Sequence, residues 1–329
     1  MSQYQKIGVA GAGAWGLALA NAAASAGRSV AIWGRDATMM RALDETRRSV
    51  RLPGVALAPA VRVSADMRVL DDCDAILLTV PAQATREAAG RIATTLSRPK
   101  PLVTCAKGIE QGADRFMTEV LAEVAPGWPN AILSGPSFAV DVAAGLPTAV
   151  TLASADEALA RGLCAALRAP NLRLYHSTDV RGVEIGGAAK NVLAIAAGVV
   201  AGRALGASAM AALTTRGFAE LVRFGRAYGA RPETMMGLSG LGDLILTCSS
   251  PQSRNFSFGV ALGRGQKPAA IRGGLAEGVF TAAALVEMAR ERSVDMPISF
   301  AVDALLAQRM SVDEAIESLL SRPFKAEGY

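Results

Sequence analysis

Four charged residues stand on apolar ground in this sequence, and their types suit proton transfer and anion binding. Lys190, inside "GGAAKNVLAIAAG", is the only charged residue between Glu184 and Arg203. Burying an unpaired ammonium is costly, and the usual relief is a partner or a lowered pKa. A stem that snorkels to water is the ordinary alternative. Asp243, in "MMGLSGLGDLILTCSS", is the only charge between Glu233 and Arg254. It reads either as a helix N-cap after Gly242 or as the partner of Lys190. Lys107, in "LVTCAKGIE", follows a buried-looking strand, and ligands gather beyond strand ends in open α/β sheets. A loop lysine facing solvent is its plainer reading. In "PQSRNFSFG", Ser253, Arg254 and Asn255 offer a hydroxyl, a guanidinium, an amide and free helix-start N–H groups, a set suited to a phosphate or to a simple polar cap. Gly135, Pro136 and Ser137, in "SGPSFAVDVAAGLP", form a further turn feeding a helix.

A glycine-rich turn near the N-terminus supplies a second kind of chemistry. "KIGVAGAGAWGLALANAAASAG" sets Gly11, Gly13 and Gly16 between a strand and a helix. Gly11 allows the tight turn, Gly13 lets backbone approach a pyrophosphate, and Gly16 permits close helix–strand packing. A second strand follows at the right distance, so dinucleotide binding is expected. That strand ends in "AIWGRD", where an acidic residue would accept a bond from the ribose 2′-OH of NAD. Gly34 and Arg35 stand there instead, which leans the expectation toward NADP over NAD, although Arg35 could equally stack on adenine. His176 is the single histidine and reads as a surface residue at a strand end, leaving Lys, Asp or Glu for proton transfer.

The elements that must hold these residues follow from the pattern. Seven short aliphatic runs, "KIGVAG", "SVAIWG", "CDAILLTV", "PLVTCA", "NAILSG", "PTAVTLA" and "NLRLYH", alternate with alanine-rich helical stretches. The pattern predicts an α/β fold with an N-terminal Rossmann-like, doubly wound and mainly parallel sheet. Beyond about Val183 only helical periodicity remains. The expected division is an NAD(P)-binding domain over residues 1–185 and an all-helical substrate and catalytic domain over 186–329, with Lys190 near a helix start.

Composition narrows the class. The 329 residues suffice for two cores, and 51% are hydrophobic. The net charge of +5 comes from dispersed basic residues, which does not support nucleic-acid binding and suits an anionic ligand. The start "MSQYQ" enters a strand directly and the apolar runs are interrupted, so neither signal peptide nor stable membrane anchor is expected. Cys73, Cys105, Cys164 and Cys248 are scattered and read as reduced small hydrophobes, which points to a cytoplasmic protein without a metal site. The apolar helices suggest a homodimer.

With these residues in view, the sequence resembles the bacterial-type NAD(P)-dependent glycerol-3-phosphate dehydrogenase family from Ile7 to about residue 320. "GAGAWG", "AKGIE", "GPSFA", "AAGLPTA", "GGAAKNVLAIAAG", "TRGFAE", "GLGDLILTC", "SRNFSFG" and "AEGVFTA" occur in that family's order. The resemblance implies hydride transfer between NAD(P)H and dihydroxyacetone phosphate, giving sn-glycerol 3-phosphate for phospholipid synthesis. It implies that Lys190 is the proton acceptor in the oxidative direction and that Lys107 touches substrate and cofactor. It further places Gly135, Ser137, Asp243, Ser253, Arg254 and Asn255 at the substrate. Gly11, Gly13, Ala14, Trp15, Gly16, Arg35, Ala139, Leu275 and Glu277 go with the cofactor, joined there by Arg254. The segment "RSVRLPG", before Leu52-Pro53-Gly54, departs from the family, many members having an Asn and an aromatic residue there. A related β-hydroxyacid-type dehydrogenase and a non-enzymatic NAD(P)-binding sensor are the alternatives.

Overall fold

The computed structural model describes residues 3–323. Ten strands form: β1 (Lys6–Ala10), β2 (Ser29–Trp33), β3 (Arg62–Ser64), β4 (Ala75–Leu78), β5 (Leu102–Thr104), β6 (Ile109–Glu110), β7 (Arg115–Phe116), β8 (Asn130–Ser134), β9 (Thr148–Ala153) and β10 (Leu172–Ser177). Eight of them make one sheet in the order β10-β9-β8-β5-β4-β1-β2-β3, and β6 and β7 make a small hairpin. Each of the seven aliphatic runs becomes a strand of the large sheet. All its pairings are parallel except β8 with β9, so the two outermost strands at that end run against the rest. From β3 to β8 the order is that of a doubly wound dinucleotide fold, with its reversal between β1 and β4. The β4 and β5 residues are all buried, as strands covered on both faces must be.

Fourteen α-helices accompany the strands among the described residues. Within the sheet region lie α1 (Ala14–Ser25), α2 (Ala37–Thr46), α3 (Thr85–Thr95), α4 (Met117–Val124), the short α5 (Ala139–Ala143) and α6 (Glu157–Leu167). Then come α7 (Val180–Gly202), α8 (Gly206–Ala227), α9 (Pro232–Met235), α10 (Asp243–Ser249), α11 (Arg254–Gly263), α12 (Glu277–Glu291), α13 (Pro297–Leu306) and α14 (Val312–Leu320). The predicted order, a Rossmann-like sheet followed by helices, is the observed one.

Helix α7 is the axis of the helical half. By length and composition its 23 residues are apolar enough to cross a membrane, yet every residue from Gly182 to Val200 is buried inside the protein. It is a core helix. It starts at Val180, capped by the Asp179 carboxylate on the Gly182 N–H at 2.9 Å, and so runs through the expected division at residue 185. Lys190 therefore lies in the middle of a helix, and the expectation of a helix start is corrected. The alanine-rich run offered no breaker upstream, and the cap lay further back than the apolar pattern suggested.

Helices α7 and α11 touch through backbone. A Cβ at Gly198 would lie 2.1 Å from the Phe256 carbonyl oxygen, and one at Gly259 would lie 2.0 Å from that of Ile195. Only glycine fits at either position. The crossing brings the start of α11, with Ser253 to Asn255, against the Lys190 turn of α7.

Candidate active site

The site is assembled where the carboxyl ends of β4, β5 and β8 meet α7, α10, α11 and α12. Its centre is one carboxylate between two lysines. Asp243 is 1% exposed and opens α10, directly after a wide π turn over Leu238–Gly242. Its Oδ1 accepts from Lys190 Nζ at 2.5 Å, and its Oδ2 accepts from Lys107 Nζ at 2.8 Å. The two solitary charges do pair. Of the two sequence readings, the partner of Lys190 holds; the cap residue of α10 is Gly242.

Each ammonium has three N–H donors, and the structure accounts for two on each. Lys190 donates also to Thr247 Oγ1 at 2.8 Å, and that hydroxyl donates back to the Asp243 carbonyl at 2.6 Å. Lys107 donates also to the Gly135 carbonyl at 2.8 Å. One N–H per lysine remains for a ligand. Burial lowers the Lys190 pKa to about 8, with Asp243 pulling it up and the Lys107 charge pushing it further down. Thr247 was missed by sequence reasoning; its only signal is its place four residues after Asp243 on one helix face.

The neighbouring turns are built for close approach. Gly135 has φ of +140°, and a Cβ there would lie 2.9 Å from the Val150 backbone, so no side chain fits. Ser137 Oγ donates to the Gly135 carbonyl at 3.1 Å, which places both residues at the Lys107 end of the site. The Ser134 hydroxyl, one residue earlier, is buried without a hydrogen-bond partner and lies 2.6 Å from where a Gly187 Cβ would be.

At the start of α11, Ser253 is the N-cap, its Oγ accepting from Phe256 N at 3.2 Å, while its own proton stays available. Arg254 is exposed and lies under the 272–276 loop, its Cδ 2.9 Å from an ideal Cβ on Gly274. Asn255 is partly engaged within the protein. Its amide oxygen is spent on the Gly278 N–H at 2.9 Å and one of its N–H groups on Asn191 Oδ1 at 2.9 Å, leaving a single donor for a ligand.

The dinucleotide residues are tested by the space around them. Gly13 is the N-cap of α1 with no side-chain bond, and a Cβ there would meet nothing within 4 Å, so the helix start with Ala14 and Trp15 is open. Gly11 has φ of +122°, and a Cβ on Gly16 would lie 1.9 Å from the Gly11 carbonyl, so both must be glycine. Ala139 opens α5, which packs on α1. On the far side, Glu277 Oε1 accepts from Ala82 N at 3.3 Å, whereas its Oε2 is buried with no partner. Burial raises that carboxyl's pKa, against the pull of Ala82 N–H and Arg254. An open helix N-terminus and a separate orphaned acceptor fit a group with anionic phosphates at one end and an amide or hydroxyl donor at the other. Leu275 is 37% exposed at the mouth of this region, and Arg35 stands exposed beyond β2, outside the lysine cluster.

The remaining expected residues fall elsewhere. His176 lies on edge strand β10, with Glu157 3.6 Å away, and keeps its surface reading. Burial pushes the Cys105 and Cys248 thiols up to about 12 and the Cys73 and Cys164 thiols up to about 11, which favours the protonated thiol.

Comparison with known proteins addresses the chain as a whole. The family model described as NAD-dependent glycerol-3-phosphate dehydrogenase N-terminus matches residues 6–160, and the corresponding C-terminus model matches residues 179–317. The glycerol-3-phosphate dehydrogenase [NAD(P)+] of Bradyrhizobium diazoefficiens is 61% identical, over 99% of this chain and 100% of that protein. The crystal structure of glycerol-3-phosphate dehydrogenase from Coxiella burnetii has a TM-score of 0.91 at 35% identity, covering 97% of this chain and 99% of that one. A ketopantoate reductase from Ralstonia eutropha, at 17% identity and a TM-score of 0.62, shares the fold alone, covering 94% of this chain and 99% of its own. Matched over both halves and nearly end to end, the chain belongs to the NAD-dependent glycerol-3-phosphate dehydrogenase family.

Proposed function

We propose that this chain moves a hydride reversibly between NAD(P)H and dihydroxyacetone phosphate, with Lys190 as the proton donor and acceptor. The observation that carries this reading is the buried Lys190 ammonium, held by a carboxylate that a second lysine shares. When bound, the nicotinamide supplies the hydride to the carbonyl carbon or takes it back from the carbinol. As negative charge develops on the substrate oxygen, Lys190 uses its remaining N–H to protonate it. A pKa of about 8 suits this, because proton exchange is most effective near the working pH. Lys107 contributes its own free N–H to the same oxygen and, through Asp243 and the Gly135 carbonyl, stays fixed while doing so. Ser253, Arg254 and the last donor of Asn255 hold the phosphate, with Gly135 and Ser137 opposite, and so fix the reacting carbon. Gly11, Gly13, Ala14, Trp15, Gly16 and Ala139 hold one part of the cofactor, and Lys107, Arg254, Leu275 and Glu277 hold the other.

NADP is the favoured cofactor in this reading. Asp36 is engaged as the cap of α2, accepting from Met39 N at 3.0 Å, and a Cβ on Gly34 would lie 2.5 Å from Met40 Sδ. A side chain at Gly34 would require Met40 to shift and Asp36 is engaged at its cap, while Arg35 is exposed and can meet a 2′-phosphate. The reading divides the chain into a cofactor unit to about residue 185 and a substrate unit beyond it. It also places the enzyme, as a homodimer, in the cytoplasm at the entry to phospholipid synthesis; exposed Leu205, Met236 and Ile245 on the helical half support self-association.

The test is oxidation of NADPH and NADH, followed by absorbance, with dihydroxyacetone phosphate and with unphosphorylated dihydroxyacetone. Turnover with the phosphate ester only, faster with NADPH, is expected. Cofactor binding without turnover would overturn the reading in favour of a sensor. Oxidation of NADPH or NADH by unphosphorylated β-oxo acids, run as a further arm, would favour a β-hydroxyacid-type dehydrogenase.

A further inference from the structure

Three buried amides form a chain that runs in one direction through the site. The Gly278 N–H donates to Asn255 Oδ1 at 2.9 Å, Asn255 Nδ2 donates to Asn191 Oδ1 at 2.9 Å, and Asn191 Nδ2 donates to the Lys107 carbonyl at 2.8 Å. The chain crosses four separate elements: the start of α12, the start of α11, the middle of α7 and the turn after β5. Nothing in it is slack. Asn191 and Asn255 are 5% and 8% exposed, and a Cβ on Gly278 would lie 2.5 Å from the Asn191 carbonyl and 3.0 Å from Asn255 Oδ1. At one end stands Glu277, whose Oε2 lies 3.5 Å from an ideal Cβ on Gly108, the residue after Lys107. At the other end stands Lys107, with its amine on Asp243 and Gly135.

We propose that Asn191 is a positioning residue which, through this amide chain, couples the cofactor end of the site at α12 to the substrate lysine Lys107. The inference rests on the functional reading above, which puts cofactor on Glu277 and substrate on Lys107. A ligand that fixes the start of α12 fixes the Gly278 N–H, and the two side-chain amides pass that restraint to the Lys107 backbone. Because the bonds are directional, each amide must present its oxygen toward α12 and its nitrogen toward Lys107. By reciprocity, substrate on Lys107 tightens cofactor as much as cofactor tightens substrate.

The pair NADPH and glycerol 3-phosphate tests this without turnover, since both are reduced. NADPH affinity is read from its fluorescence, with and without saturating glycerol 3-phosphate. The wild-type protein is expected to bind NADPH at least about fivefold more tightly with glycerol 3-phosphate present. Asn191→Asp keeps the size and the acceptor for Asn255 but faces Lys107 with an acceptor in place of a donor. It should keep NADPH affinity alone within about twofold and lose the coupling at neutral pH. Acid should restore it, because the protonated carboxyl donates again, an effect that a merely structural role would not produce. The charged residues next along these elements, Lys107, Lys190, Asp243, Arg254 and Glu277, are present in both proteins, so recovery confined to the variant belongs to the introduced carboxyl. Asn191→Ser, too short to span the gap, should lose the coupling at every pH and serves if the first variant does not fold. Coupling that survives either substitution, or a wild-type protein that binds the two ligands independently, overturns the proposal and leaves the functional reading intact. A wild-type protein that binds NADPH and not glycerol 3-phosphate overturns the functional reading, and this inference with it.

Discussion

Lys190 is set by opposed influences that act on one nitrogen. Burial favours the neutral amine, Asp243 favours the ammonium, and the result is a pKa of about 8. In the proposed reaction carbonyl reduction consumes the ammonium, so its rate should fall as pH rises through about 8. Oxidation of glycerol 3-phosphate needs the neutral amine and should rise over the same interval. Lys190→Ala should remove this dependence and slow reduction by about 10²- to 10⁴-fold, the usual worth of a positioned proton donor. NADPH affinity should stay nearly unchanged, checked by fluorescence titration beside steady-state rates at several pH values. The charged members of the site were legible as isolated charges in apolar sequence, and the Lys190–Asp243 pair followed from that isolation. Thr247 and Asn191 were not. An uncharged polar residue among alanines and leucines leaves no comparable mark, and the work of each depends on which helices cross.

Helix starts in this protein are often completed from a distance. Glu220 of α8 accepts from the Ile298 and Ser299 N–H groups at 2.6 and 3.1 Å, closing the start of α13, and Glu184 of α7 accepts from Thr118 N at 2.8 Å in the first turn of α4. The local cap positions, Met296 and Phe116, have no side-chain acceptor to offer. These contacts could not be read in advance, since each joins residues more than sixty positions apart. Strand positions were readable because each was a short aliphatic run between turns, whereas β3 and the β6–β7 hairpin are two or three residues long and carry no pattern. The reversal at β8–β9 is a matter of pairing, which periodicity does not encode. At the α7–α11 crossing, Gly259→Ala should force the helices apart, at an overpacking cost of about 1–3 kcal/mol. Because α11 carries Ser253 to Asn255, the same change should raise KM for dihydroxyacetone phosphate more than it lowers cofactor affinity. Thermal denaturation and steady-state kinetics on the one variant check both effects.

Both remote caps also make the stability of the molecule depend on pH. Burial raises the Glu184 and Glu220 carboxyls to about 7, against the N–H groups they accept from. Between the ordinary carboxylate range and about 7, the folded protein therefore binds more protons than the unfolded chain at these two sites. Stability contributed by the pair is present at low pH and is lost as pH rises through about 7. Melting temperatures followed from about pH 5 to about pH 7 should show this decline, and Glu184→Gln with Glu220→Gln should flatten it. Lys190 acts in a different window: its lowered pKa makes the unfolded chain the better proton binder between about 8 and 10.5, so there its contribution rises with pH.

The burial of α7 has a consequence for how the chain is made. The helix is synthesised after the sheet region and before α8, α10, α11, α12 and α13, all of which pack on it. For that interval of translation, a segment apolar enough to enter a bilayer has left the ribosome without the helices that will cover it. Until those helices arrive, the apolar surface of α7 is exposed to solvent. Cover comes with α11 and α12, the helices that also carry residues of the candidate site.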